Sequence, residues 1–209
     1  IAQKNCLFDP DFCRQNDSIE FLNYILDIYS ESNYSIFDNI MISEKKCLEC
    51  QTIVYKTEKQ YVVPLNCEKN LVKCFQNFTK EEILDKDNML FCDVCKKKTQ
   101  VSRKINFGNL ANVFIIQLKR FTWTKRGGAK KLKKAVSIKK ELSIRGYTYK
   151  LQGFIIHGGC VDGGHYHYVG RGVGNTWYEY NDMGCSKIEN FRLSDFRSKY
   201  YILLYEKMK

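Results

Sequence analysis

Residues 149–182 read YKLQGFIIHGGCVDGGHYHYVGRGVGNTWYEYND, and this stretch decides the fold. It reads as a strand from Tyr149 to His157, a glycine-broken loop, a second strand from His165, a turn at Gly170 to Asn175, and a third strand from Thr176 to Tyr180. Successive hairpins put His165, at the start of one strand, within reach of Asn181 and Asp182, at the end of the next. A catalytic histidine needs a second group on its other ring nitrogen, because that bond fixes the tautomer and holds the imidazole toward a nucleophile. Asn181 or Asp182 can supply it. Two other readings stay open on these residues alone. A histidine among tyrosines in an antiparallel sheet is ordinarily structural. His165 and His167 also share one strand face near Cys160, a partial metal-ligand pattern without a third ligand at convincing spacing.

The second pattern is Cys47-Leu-Glu-Cys50 followed by Cys92-Asp-Val-Cys95. Two such knuckles place four thiolates so that zinc can take them tetrahedrally, which holds together a small lobe without much core. Cys50 and Cys92 are 42 positions apart (92 − 50), so long strands are expected between the pairs. A closed four-cysteine site has no open position for chemistry, and the metal is then scaffold; free thiols or a redox pair are the competing readings.

Between and around these landmarks the pattern is mixed α and β. Ile19, Phe21, Leu22, Ile25, Leu26 and Tyr29 make one helix face, with Asp17 or Ser18 as cap and Asn33 as stop. QTIVYKTEKQYVVPL predicts a two-stranded hairpin around Lys59, and Leu71 to Phe78 a helix. Thr79-Lys-Glu-Glu82 has the form of a capping box and predicts another short helix. Val113 to Leu118 reads as a buried strand, and Tyr200 to Tyr205 as a final strand.

With 209 residues, 44% hydrophobic and 14% aromatic, the chain can bury a sizeable core as one domain, with room for a smaller lobe. No apolar run approaches membrane-spanning length, so no membrane partner is expected, and Ile1 in place of methionine reads as a start inside a longer chain. Ten cysteines, four in the two pairs and six scattered, favour a reducing compartment, nuclear or cytoplasmic. The net charge of +11 is uneven: Lys119 to Lys140 holds ten Lys or Arg and no acid. Gly127-Gly128 suggests a solvated, flexible loop there. The sharper reading is an electrostatic anchor for an acidic partner, DNA or the acidic surface of a nucleosome. A zinc-stabilised nucleic-acid-binding module is the corresponding alternative function, although the stretch is mostly lysine with aromatics only at Phe121 and Trp123.

GGHYHYV followed by WYEYND resembles the histidine box of the ubiquitin-specific proteases, thiol hydrolases that cut ubiquitin from proteins. Other landmarks of that family follow in order across almost the whole chain. Gln15, Asp17, Glu20 and Phe21 match its Q-x-D-x-x-E-F segment, with Asn16 where a second glutamine is common. Leu118 to Phe121 matches its L-K-R-F segment, and the following FTWTKRGGAKKLKK is closest to members with F-x-W after that arginine, a subgroup including histone-directed deubiquitinases. The resemblance implies an α+β, papain-like architecture: a helical thumb remnant (1–40), zinc-bearing β fingers (41–104) and an antiparallel β palm with the histidine box (105–209). It also implies His165 as general base, Asn181 as its orienting partner, Asp182 polarising groups at the cleft, and zinc on Cys47, Cys50, Cys92 and Cys95. Gln15, Asp17 and Glu20 become contacts for the basic tail of ubiquitin, where the plain alternative is a cap and a solvated face.

Two departures qualify the implied activity, hydrolysis of the isopeptide bond after the last glycine of ubiquitin. The family's nucleophile sits in a box resembling G-N-T-C-Y, well ahead of the Q-x-D segment, yet only fourteen residues precede Gln15 here. Cys6, in KNCLF, lacks the glycine and threonine, and Cys13, Cys160 and Cys185 match less well. The expectation is therefore a fragment of a deubiquitinase, with a ubiquitin-binding pseudoenzyme as its alternative. The second departure is Tyr168-Val169, where the family has a small residue and then tyrosine, which predicts different packing near the base.

Overall fold

The apolar runs VFIIQLK and YYILLYEK carry too little polar surface for either face to meet water, so both must be covered. They are neighbouring interior strands of the larger sheet in the computed structural model, which describes residues 17–30, 35–124, 127–161 and 163–208. In chain order the elements are α1 (Ser18–Ser30), β1 (Asn39–Cys47), β2 (Ile53–Gln60), β3 (Val62–Asn66), α2 (Leu71–Phe78), β4 (Glu82–Leu84), β5 (Leu90–Cys92), β6 (Lys97–Thr99), β7 (Val101–Phe107), β8 (Val113–Lys119) and β9 (Phe121–Trp123). There follow β10 (Ala129–Lys131), β11 (Glu141–Ile144), β12 (Tyr147–Gly159), β13 (Gly164–Arg171), β14 (Trp177–Asn181), β15 (Gly184–Lys187) and β16 (Tyr200–Lys207). The large sheet has the order β15-β14-β13-β12-β16-β8-β3, with β11 pairing β12; the second has the order β2-β1-β7-β4. Two ribbons, β5-β6 and β9-β10, complete the described strands.

Strand alternation divides the core. Phe114, Ile116 and Leu118 of β8 join Phe154, Leu203 and Tyr205 on one face of the large sheet, under α2 and the segment 136–142. Ile115 points the other way, to Ile19 and Leu26 of α1 and to Tyr201 and Ile202. Each such side chain contributes about 1.5–3 kcal/mol on full burial.

The same parity carries Arg120 inward one step past Leu118, and it is fully buried. Its guanidinium donates to Tyr200 O, to Leu132 O at 3.0 Å, to Lys134 O at 2.9 Å and to Arg197 O at 3.1 Å. Four carbonyls from three places in the chain thus share one cation.

Three expectations change. The hairpin around Lys59 does not form: β2 pairs with β1, while β3 crosses to pair in parallel with β8. Burial explains the split, since Val63 and Leu65 are fully buried in the large core whereas β2 is exposed along almost all its length. Pro64 is tolerated because β3 is an edge strand. The short helix expected after Thr79 is replaced by β4, because Thr79 ends α2, its N–H and hydroxyl both donating to Phe75 O. Glu82, the acid that would close the capping box, instead faces Arg103 across the β4–β7 pair and accepts from its Nε at 2.7 Å.

The basic stretch is not simply a loop either. Its first part pairs as β9-β10, Lys134 bridges to Glu68 at 2.7 Å, and Lys131 Nζ donates to His157 O at 2.8 Å and Gly159 O at 3.0 Å. Asn33, expected to stop α1, lies outside the described residues.

Arg120→Met should lower unfolding stability by at least ~3 kcal/mol, because it strips donors from four carbonyls in a dry site. Lys133→Met, an exposed change in the same stretch, should stay within ~0.5 kcal/mol. Denaturant titration of the two variants measures the difference.

Candidate active site and metal centre

β12, β13 and β14 are consecutive antiparallel neighbours, and their register sets the site. His165 opposes Gly158, and the far end of β14 brings Asn181 back beside it. His165 Nε2 lies 2.6 Å from Asn181 Oδ1 and 3.5 Å from Asp182 Oδ2. An amide oxygen only accepts, so Nε2 carries the proton and Nδ1 is left as the basic nitrogen. That is the tautomer a general base needs. Asp182 has φ of 49°, a left-handed conformation that aspartate tolerates, and it begins the tight turn closed by the Asn181–Gly184 pair.

His167, two residues along the same face, is 4.8 Å from His165 ring to ring, and its Nδ1 pairs with Glu179 Oε1 at 2.9 Å. The metal reading of these two histidines finds no support among the described residues, whose single metal-ligating group is elsewhere.

The loop before His165 needs its glycines. Gly159 has φ of 85°, and a Cβ on Gly164 would collide with Gly158 O and with the ring of His157. His157 is buried, and burial, with Lys131 adding to it, lowers its pKa and favours the neutral ring. The departure at Tyr168 has a packing cause as well. Gly153 and Gly170 oppose each other, and the Tyr168 ring lies over both, 5.6 Å from Tyr180.

Among the expected ubiquitin-tail contacts, Gln15 lies outside the described residues and Glu20 is exposed. Asp17 caps α1, accepting from Ile19 N at 3.0 Å, and also accepts from Tyr166 OH at 3.3 Å and Tyr201 OH at 2.6 Å. It therefore ties α1 to the strand of His165 and to β16. Sequence reading found the cap but not the tyrosines, which lie 149 and 184 positions away. Cys6 and Cys13 also lie outside the described residues. Cys160 and Cys185 are exposed thiols, Cys160 Sγ donating to Gly163 O at 3.3 Å.

Cys47, Cys50, Cys92 and Cys95 come together where β1 and β5 end, with all four sulfurs within 4.8 Å of one another. Cys47 Sγ is 3.9 Å from Cys95 Sγ, and Cys50 Sγ is 3.7 Å from Cys92 Sγ. Disulfide sulfurs sit about 2.05 Å apart, so these are thiols. Tetrahedral zinc with sulfur at about 2.3 Å would hold its ligands ~3.8 Å apart, which is the spacing of these two pairs. The Thr99 hydroxyl, with further bonds from Cys50 and Glu49, holds the Cys47 thiol down at about 6, and the Thr52 hydroxyl lowers Cys50. Cys95 is pushed up to about 12, first by its bond to Cys50 and then by burial and the other sulfurs. Four thiols this close cannot all ionise without a cation. A divalent metal removes that conflict.

The family model described as ubiquitin carboxyl-terminal hydrolase matches residues 2–205. The chain is 32% identical over 160 residues to ubiquitin carboxyl-terminal hydrolase 48 of Danio rerio, covering 70% of this chain and 15% of that protein. It is 28% identical over 196 residues to ubiquitin carboxyl-terminal hydrolase 4 of Arabidopsis thaliana, covering 84% of this chain and 53% of that one. Its fold is similar to a chain in the structure of the SAGA Ubp8/Sgf11/Sus1/Sgf73 DUB module bound to ubiquitin aldehyde, with a TM-score of 0.81, 22% identity, and coverage of 94% of this chain and 50% of that one. The chain thus spans about half or less of the relatives it matches. Because the matched segment takes in both cysteine pairs, the buried Arg120 and the three strands that carry His165 and Asn181, this chain belongs to the ubiquitin carboxyl-terminal hydrolase family.

Proposed function

We propose that the natural protein carrying this chain is a cysteine-type deubiquitinase, with His165 as general base and Asn181 as the group that orients it. The observation that carries the reading is the 2.6 Å bond from His165 Nε2 to Asn181 Oδ1 in a chain of this family. His165 Nδ1 takes the proton of a cysteine thiol as the sulfur attacks the carbonyl carbon of ubiquitin's last glycine. The imidazolium returns that proton to the departing lysine amine, leaving a thioester. Water then gives a proton to the imidazole as its oxygen attacks the thioester, and the C–S bond breaks. None of the described cysteines is assigned the nucleophile's role. Asp182 Oδ2 stands 3.5 Å from Nε2, on the side of the ring away from the proton transfer.

Ubiquitin is the proposed partner, in keeping with the ubiquitin aldehyde bound to the similar SAGA module. Glu20, exposed on α1, and Asp17 and Gln15 before it are proposed to meet its basic tail. The proposed division is a thumb remnant over 1–40, fingers over 41–104 and a palm over 105–209, with β3 and α2 reaching into the palm core from within the finger segment. The four-cysteine cluster is assigned to structural zinc, supported by its donor set and spacing. A reducing compartment, nuclear or cytoplasmic, is proposed because the eight described cysteines are all free thiols. For the basic stretch, the proposed partner is DNA or a nucleosome's acidic surface. Lys119, Lys130, Lys133, Lys139 and Lys140 are exposed and outside any ion pair among the described residues, Lys140 lying over the Phe191 ring, whereas Arg120, Lys131 and Lys134 are committed internally.

His165→Ala should lower turnover of a ubiquitin conjugate by about 10³-fold or more, and Asn181→Ala by less, since it orients the base without carrying the proton. Near-normal turnover in His165→Ala refutes the assignment. Metal analysis should find one zinc per chain, and chelation or Cys47→Ser should release it and lower the melting temperature. Acidification should do the same, since zinc holds thiolates that protons compete for. A stable metal-free protein overturns the assignment. DNA binding should fall steeply between low and physiological salt and weaken in a Lys130→Ala, Lys133→Ala variant. Equal binding by wild type and variant removes the anchor.

A further inference from the structure

β16 supports β12 only as far as the Ile156–Tyr200 pair, with one further bond from His157 N to Lys199 O at 3.2 Å. His157 therefore turns its backbone groups to the β16 side, and so does Gly159 two residues on. Past the start of β16 their carbonyls have no strand to meet. Lys131 fills the gap, its ammonium donating to His157 O at 2.8 Å and Gly159 O at 3.0 Å. Between them lies Gly158, the residue that pairs with His165 across β12 and β13. The same hairpin makes a second contact here, because Phe121 packs on the buried His157 ring at 5.3 Å, and that ring meets Tyr166 at 4.6 Å. On the far side of Gly159 the chain turns sharply, Cys160 N donating to Gly163 O at 2.8 Å, and returns to His165.

We propose that Lys131 is a positioning residue for His165, its ammonium standing in for the absent strand and holding the backbone opposite the base in register. The proposal rests on the reading of His165 as general base. The strand end at Gly158 and Gly159 is paired with β13 on one side only, and the two carbonyls are the groups through which its other side can be held. Lysine suits the place because its compact ammonium serves two acceptors at once, whereas the larger guanidinium reaches both only with adjustment.

The test compares wild type with Lys131→Met, which keeps the length and loses the donors, and with Lys131→Arg. The chain has three histidines, so the ring nitrogens of His165 can be followed by nitrogen-15 spectroscopy, with His165→Gln for assignment. Wild type should show His165 as a fixed Nε2–H tautomer. Lys131→Met should average its two ring nitrogens while leaving His167, paired with Glu179, unchanged. In the natural protein, kcat on a ubiquitin conjugate should fall about ten- to hundredfold with KM within about twofold, and Lys131→Arg should recover part of the loss. An unchanged His165 spectrum in Lys131→Met overturns the proposal, as does a loss expressed in KM instead of kcat. Should Lys131→Met fail to fold, Lys131→Gln and Lys131→Arg are compared on the same spectrum, and equal spectra for the two overturn it. A wild-type protein with a fixed tautomer but no ubiquitin hydrolysis counts against the deubiquitinase reading alone, and the spectra still decide the role of Lys131.

Discussion

One guanidinium holds the centre of the large sheet to the segments on its surface. Arg120 leaves β8 with its charge inside the protein, and among the described residues no carboxylate accepts from it; the carbonyls of Leu132, Lys134, Arg197 and Tyr200 do. A buried charge is tolerated only when its donors are met, and here the acceptors come from the basic stretch, from the turn before β16 and from β16 itself. The arrangement works in both directions. Carbonyls in a surface segment have no strand partner, and the cation that satisfies them also fixes where that segment lies. β9-β10 is thereby carried to the end of β12, where Phe121 and Lys131 meet the backbone behind the histidine.

What the sequence made legible is what short-range pattern can encode. The strands flanking His165, the helix at Leu71 to Phe78 and the two cysteine knuckles all appear within a residue or two of where reading places them, because period-two alternation, a helical face and the C-x-x-C spacing are local signals. The failures have long-range causes. QTIVYKTEKQYVVPL alternates like a hairpin, but only Val63 and Leu65 have a core to enter, and that core is built by β8, some fifty residues later. Thr79 to Glu82 spells a capping box, yet the box competes with an arginine 21 positions on, and the cross-strand pair wins. Arg120 could have been placed inward by parity, since Ile116 and Leu118 share its face. Charge masked that signal, as it did for Lys131.

The two lobes are held by different means because they bury different amounts. In the large sheet, α1 and α2 cover opposite faces, and tyrosines 149, 200, 201 and 205 fill the space with their hydroxyls satisfied by Ala111 O, Leu193 O, Asp17 and Lys139 O. The smaller sheet has little of this: β2 is exposed nearly throughout, and its ion pairs, such as Lys56–Glu58, lie at the surface where they contribute little. Four thiols gathered at its end supply the missing constraint once a cation joins them, because metal binding then becomes folding free energy for strands that lack a core.

Register is the remaining requirement, since a strand displaced by one residue sends every side chain to the other face. Between β12 and β13 the pin is Tyr168. Its ring lies across Gly153 and Gly170, and a Cβ at either position would strike it, so the ring fits only where two glycines stand opposite each other. A slip by one residue between the strands would replace Gly153 with Gln152 or Phe154, putting a side chain where the ring lies. Three residues back along the same strand, the correct register is what puts His165 opposite Gly158, where there is no side chain to crowd the imidazole and two carbonyls for Lys131 to hold. The tyrosine that departs from the family pattern thus does its work at a distance from the histidine, through the one property of a strand that cannot vary by degrees.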